Sequence, residues 1–101
     1  MILEVYQGLK YQSTDEELIY TVTTTNWAST PTSPGVKVFL EDTLVDVTST
    51  VMPTNSPSVS GNVITLSPLK SLSKDQTYRV EVKFTAGGNV WECYFRVKCS
   101  L

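Results

Sequence analysis

From Leu72 to Cys99 the chain reads LSKDQTYRVEVKFTAGGNVWECYFRVKC, and this stretch decides the fold. Tyr78, Val80, Val82 and Phe84 alternate with Arg79, Glu81 and Lys83; further on, Trp91, Cys93, Phe95 and Val97 alternate with Glu92, Tyr94, Arg96 and Lys98. A period of two puts the apolar set of each segment on one side of an extended chain, so the pattern predicts two strands with one buried face each. Between them Ala86-Gly87-Gly88-Asn89 supplies two glycines that tolerate positive φ, as a two-residue hairpin loop of the primed type requires.

Working outward, Leu72 and Tyr78 have the spacing of a tyrosine corner, in which a buried tyrosine at the start of the penultimate strand bonds upstream backbone. Ile2 to Tyr6 reads as a short first strand, ended by the polar run Gln12, Ser13, Thr14 and Asp15. Leu18, Tyr20, Val22 and Thr24 alternate with Ile19, Thr21 and Thr23 and predict a central strand, closed by Asn26-Trp27-Ala28-Ser29. Thr30 to Gly35 holds two prolines and reads as a loop crossing to a second sheet. Val36, Val38 and Leu40 predict a strand, Glu41-Asp42-Thr43 a turn, and Leu44, Val45 and Val47 a returning strand or edge hairpin. Thr48 to Ser60 reads as loop or irregular edge, and Asn62 to Leu66 as a short strand launched from Gly61. Pro68 to Asp75 is the one helix candidate, too short to be stable alone. The expected fold is all-β, an immunoglobulin-like or fibronectin-type antiparallel β-sandwich of about seven strands, forming a single domain over residues 1–101.

Composition narrows the chemistry. The chain has 101 residues, a formal net charge of −2, two cysteines and no histidine, with a sequence pI near 4.9. No overall positive field favours nucleic acid or an anionic bilayer as the main partner. No segment approaches the ~18 apolar residues of a membrane span, and the start lacks the basic and apolar pattern of a signal peptide, so the expectation is a chain made and kept in the cytoplasm. Without histidine the commonest general base, metal ligand and partner of a nucleophile is missing, and two cysteines on one strand cannot build a zinc site. The reading is therefore of no enzyme, no catalytic or metal-binding residues and no cofactor. Asp15, Glu16 and Glu17, like Glu41, Asp42 and Asp46, lack the spacing of a calcium loop and read as solvated acidic loops. Cys93 and Cys99, on one strand, would lie ~20 Å apart, too far for a bridge unless the chain turns back; Cys93 reads as a buried thiol and Cys99 as a frayed terminal one.

The candidate contact residues are aromatic. Tyr94 falls on the face opposite Cys93 and Phe95, Phe39 points outward if Val38 and Leu40 hold the core phase, and Trp27 sits in a loop; Trp91 shares the core phase. These three, Phe39, Tyr94 and Trp27, are the expected partner surface.

The segments Leu18-Ile19-Tyr20-Thr21-Val22, Asn26-Trp27-Ala28, Gly61-Asn62-Val63-Ile64-Thr65-Leu66, Thr77-Tyr78-Arg79-Val80-Glu81-Val82, Ala86-Gly87-Gly88 and Phe95-Arg96-Val97, taken together, resemble the small immunoglobulin-like proteins of tailed-phage and prophage structural regions, the fiber-tail adaptor or virion-associated type. The resemblance runs from Leu18 onward, and its short motifs are shared in part with fibronectin-type and other bacterial immunoglobulin-like domains. It implies a non-catalytic sandwich incorporated into a virion, contacting other virion proteins or copies of itself through edge strands and loops. Pro31 to Gly35 and Thr48 to Ser60 depart from the tighter connections of that family, and no site residues carry over. The alternative reading is a stand-alone adhesion or carbohydrate-binding module that stacks a sugar on Trp27 or Tyr94.

Overall fold

The computed structural model describes the backbone of residues 2–25 and 29–100, and the side chains of 9–25 and 29–100. Among these, seven strands and one helical turn follow in order: β1 (Ile2–Gln12), β2 (Thr21–Thr23), β3 (Thr32–Leu40), α1 (Thr48–Val51), β4 (Ser58–Ser60), β5 (Val63–Thr65), β6 (Thr77–Ala86) and β7 (Asn89–Cys99). They form two sheets, β1-β7-β6-β3 and β2-β5-β4, which pack as a sandwich. The second sheet has the B-E-D order of an immunoglobulin domain and the first contains its G-F-C order, with the first strand lying on the last strand instead of beside B. That β1–β7 pairing is parallel, so the sandwich is antiparallel except at this edge.

The β6–β7 hairpin forms as its sequence predicts. Ala86 pairs with Asn89 across Gly87 and Gly88, whose φ angles of 59° and 79° match the right-handed twist of the flanking strands. Tyr78, Val80, Val82 and Phe84 face Cys93, Phe95 and Val97 in a core completed by Val22, Val38, Ile64, Leu66 and Leu69. Trp91 packs at its rim, with Nε1–H donating to the Ala86 carbonyl at 3.3 Å.

The tyrosine corner is present. Tyr78 is buried, and its hydroxyl accepts a 2.8 Å hydrogen bond from the Ser73 N–H, fixing the chain as it enters β6. Val80 stands two residues on, where antibody domains carry the second cysteine of their inter-sheet disulfide. Apolar packing takes that role here. Replacing Tyr78 with Phe keeps the ring and orphans the Ser73 amide, so urea unfolding is expected to show a loss of about 1 kcal/mol with an unchanged denaturant slope. A variant as stable as the parent would deny the corner any part in holding the fold.

Several expectations are corrected. β1 continues past Tyr6 to Gln12, because a register shift between Glu4 and Leu9 lets Leu9–Gln12 pair with Arg96–Cys99. Leu18 to Thr24 keeps its phase, with Val22 and Thr24 buried and Ile19 exposed, but its strand is three residues long and lies at an edge, β5 being central. The chain has crossed between sheets before Thr32: Thr32 and Gly35 already pair with β6, and Pro34 is tolerated because β3 is an edge strand with a register shift there. Leu44 to Val47 returns along β3 with a single bridge, Phe39 to Asp46, instead of a strand. Pro68 to Asp75 forms no helix, in keeping with a segment too short to be stable as one, while a helical turn forms at Thr48–Val51 and Ser58–Ser60 becomes a short edge strand on β5 within the stretch read as loop or irregular edge. Cys99 is not frayed; it is fully buried at the end of β7, bonded through its N–H to the Gln76 carbonyl. Cys93 is buried as expected, and desolvation pushes its thiol from the ordinary 9.0 up to about 12.

Candidate functional site

The alternation that buries one face of β3, β6 and β7 sends the other side chains to the outside of the four-stranded sheet. Register arranges them in rows across the strands. Gly35, Lys83 and Glu92 form one row, Lys37, Glu81 and Tyr94 the next, and Phe39, Arg79 and Arg96 the third; beyond these, Thr77, Lys98 and Tyr11 lie together. This outer face carries Lys37, Arg79, Lys83, Arg96 and Lys98, five of the eight lysines and arginines of a chain whose net charge is −2. Of the ten acids, Glu81 and Glu92 share it, and Glu4 is in register with Tyr94.

At its centre Arg79 stacks on Tyr94, the guanidinium carbon 3.9 Å from the ring centroid, while Arg79 Nε lies 3.0 Å from Glu81 Oε2. The second contact is an ion pair without the alignment of a hydrogen bond. Both side chains are about three-quarters covered, so the cluster is ordered before any partner arrives. Toward the hairpin, Lys37 faces Glu81 and Lys83 faces Glu92, opposite charges across the ladder that favour the sheet. A depression of about 410 Å³ lies there, lined by Pro34, Gly35, Lys37, Phe39, Pro57 and Glu92 among others. At the other end Arg79 and Arg96 lie opposite each other in the register of β6 and β7.

The opposite sign collects where β1, β3 and β7 end and β6 begins. Asp15, Glu16 and Glu17 follow β1, Glu41, Asp42 and Asp46 follow β3, and Asp75 precedes β6. Backbone bonds from Glu41 to Thr77 and from Asp75 to Cys99 draw two of these segments to the same end of the sheet. Asp46 accepts hydrogen bonds from the Thr48 N–H at 2.9 Å and hydroxyl at 2.6 Å, which hold its carboxyl below the ordinary 3.8. Leu44 and Val45, at 59% and 53% exposure, sit between these acids as an apolar tip. Among the described residues, no three His, Cys, Asp or Glu side chains come together to hold a metal ion, and no helix is long and apolar enough to cross a membrane.

The expected contact residues divide. Phe39 and Tyr94 are half-buried on the outer face, two rows that touch through Arg79, while Trp27 lies outside the described residues. Phe39 takes this orientation because Val38 is fully buried and Leu40 packs on the core. One face of the Tyr94 ring carries Arg79. The sequence reading missed Arg79, Arg96 and Lys98. Their signal was available, because the two-residue turn fixes the register that sets Arg79 against Arg96.

Strand addition at β3 is closed. The Val36 carbonyl accepts from Asn55 Nδ2, the Val38 N–H donates to Thr48 Oγ1 while its carbonyl accepts from Val47, and Leu40 bonds Val45 and Leu44. Pro34 has no N–H to offer. An edge so covered does not template another chain.

Comparison with family models gives no match, and comparison with curated proteins gives no significant match.

Proposed function

We propose that this chain is a non-catalytic structural or adaptor component of a phage or prophage particle, acting through protein contacts made by the outer face of its four-stranded sheet. The observation that carries the contact reading is the Phe39–Arg79–Tyr94 cluster: aromatic and arginine side chains, partly desolvated and held in place, are the composition of interface centres. The absence of histidine from the sequence supports contact over catalysis. The particle assignment rests on the resemblance of the motifs from Leu18 onward and is an analogy of fold and sequence pattern. Sealing of the β3 edge removes one of the four edge strands from the expected contacts and favours the sheet face beside it.

The test is to purify particles from the producing culture on a density gradient and search them by mass spectrometry. Recovery of the chain in fixed ratio to the major particle proteins is the expected result. Its absence from intact particles overturns the assignment.

A further inference from the structure

We propose that the depression beside Gly35, on the outer face of the four-stranded sheet, binds a neutral sugar, with the sugar ring lying over the Gly35 backbone and against Phe39. The site adds a ligand to the protein-contact reading and does not depend on it. Gly35 is the first observation. It lies within β3 opposite Lys83, its φ is not positive, and a Cβ built on it would meet no atom within 4 Å. Neither backbone conformation nor packing calls for glycine here, and a glycine inside a strand weakens it. Its missing side chain leaves open the depression of about 410 Å³. A strand glycine of this kind marks the close approach of a ligand or of another backbone. The strand is also irregular just before it, with a register shift between Thr32 and Gly35 and with Ser33 left-handed at φ 52°. Both features recur beside binding sites.

The lining decides the class of ligand. Pro34, Phe39 and Pro57 form apolar walls, all three half-buried, and the C–H face of a sugar ring is apolar and packs on such surfaces. Lys37, Glu81, Lys83 and Glu92 supply two cations and two carboxylates. In register Lys37 stands opposite Glu81 and Lys83 opposite Glu92, so the charges cancel and none is left over for an ion to meet. What the pairs offer is hydrogen bonding: ammonium groups donate, carboxylates accept, and a sugar hydroxyl does both. Asn55 is held at the wall by the 2.8 Å bond from its Nδ2 to the Val36 carbonyl, and its oxygen remains an acceptor. The volume falls in the range of small-molecule sites. An extended peptide is the competing occupant. It binds by adding a strand to an open edge, and the β3 edge beside the depression is covered.

The experiment is a titration of the isotope-labelled protein with glucose, galactose, mannose and N-acetylglucosamine, followed by amide NMR shifts. The expected result is saturable shifts with at least one of these sugars, centred on Gly35, Lys37, Lys83 and Glu92. Gly35→Val puts a side chain into the depression and is expected to weaken binding about tenfold or more. The same change leaves the unfolding temperature equal or higher, because a β-branched residue favours a strand where glycine does not. Binding lost while stability is kept or gained cannot be laid to damage of the fold. Gly35→Ala fills less of the space and is expected to weaken binding less, and Phe39→Ala, which takes away the stacking surface, is expected to weaken it about tenfold. No saturable shift with any of these sugars overturns the proposal. So does binding that Gly35→Val leaves intact, or shifts that centre on Trp27 or Tyr94 instead of Gly35. Inorganic phosphate bound at the same amides more tightly than any sugar would overturn it as well, by showing a site for an ion. None of these results bears on whether the chain is found in purified particles, so the two readings fail separately.

Discussion

Replacing Phe95 with alanine is expected to remove about 3–5 kcal/mol of unfolding free energy, the usual range for deleting a buried aromatic ring. Phe95 is 1% exposed on β7, directly opposite Val80 of β6, and its ring lies 5.3 Å from that of Tyr20 at an interplanar angle of 48°. Tyr20 leads into β2, so this pair joins the four-stranded sheet to the three-stranded one. Truncation therefore opens a cavity between the sheets and takes away an aromatic contact that itself contributes about 0.5–1.5 kcal/mol. Against a total stability of roughly 5–15 kcal/mol, such a loss leaves a fold close to its threshold. Phe95→Leu separates the two contributions: most of the volume stays, the ring contact goes, and the expected loss is about 1–1.5 kcal/mol. Urea unfolding of both variants measures this. If the alanine variant lost less than about 1 kcal/mol, Phe95 would not be the contact that closes the sandwich.

Phe95, Tyr78 and the double glycine were all legible in the sequence because each belongs to a pattern that is local. Alternation over ten residues assigns a face, and a turn of two residues assigns a register. Cys99 and Gln12 were not legible, for a common reason. Both lie at strand ends that are buried only because β1 and β7 run parallel and in contact, a pairing between distant segments joined by no turn. Pro34 misled in the opposite direction, since a proline excludes an interior strand but permits an edge, and edge position is a property of the sheet order. A three-residue strand such as β4 carries too few residues for a period to show. For the outer face, the charged positions on each strand were visible, yet their sorting into a basic face and an acidic end follows from the fold as a whole. Loops that read one by one as solvated acids, Asp15 to Glu17 and Glu41 to Asp46, converge only when β1 and β3 end on the same side.

Gln12 carries the second large effect. It is 1% exposed, its amide nitrogen donates to the Leu69 carbonyl at 2.6 Å and the Glu16 carbonyl at 2.9 Å, and its oxygen accepts the Tyr20 hydroxyl at 2.9 Å. One side chain thus ties the end of β1 to the approach to β2 and to the bridge between Leu18 and Leu69. Leucine at this position fills similar volume and bonds nothing. The Leu69 carbonyl keeps its bond from the Leu18 N–H, but the Tyr20 hydroxyl loses its acceptor. Leaving buried polar groups unmatched is expected to cost about 2–3 kcal/mol. In a Tyr20→Phe background the orphaned hydroxyl is gone, so Gln12→Leu should cost at least about 0.5 kcal/mol less there; additive losses would mean that the two side chains do not share a bond. Alkaline pH tests the same contact by another route. Burial, and secondarily the Glu16 carboxylate, raise Tyr20 from 10.0 to about 12, so the unfolded chain gives up this proton first. The stability linked to it is fully present below pH 10 and is lost as pH rises through about 12. Cys93, raised from 9.0 to about 12 by burial, acts with the same sign over a slightly wider window. Unfolding free energy is therefore expected to fall between pH 9 and 12, and to fall less steeply in Tyr20→Phe. An identical alkaline slope in parent and variant would place the Tyr20 hydroxyl in water and out of the joint between the sheets.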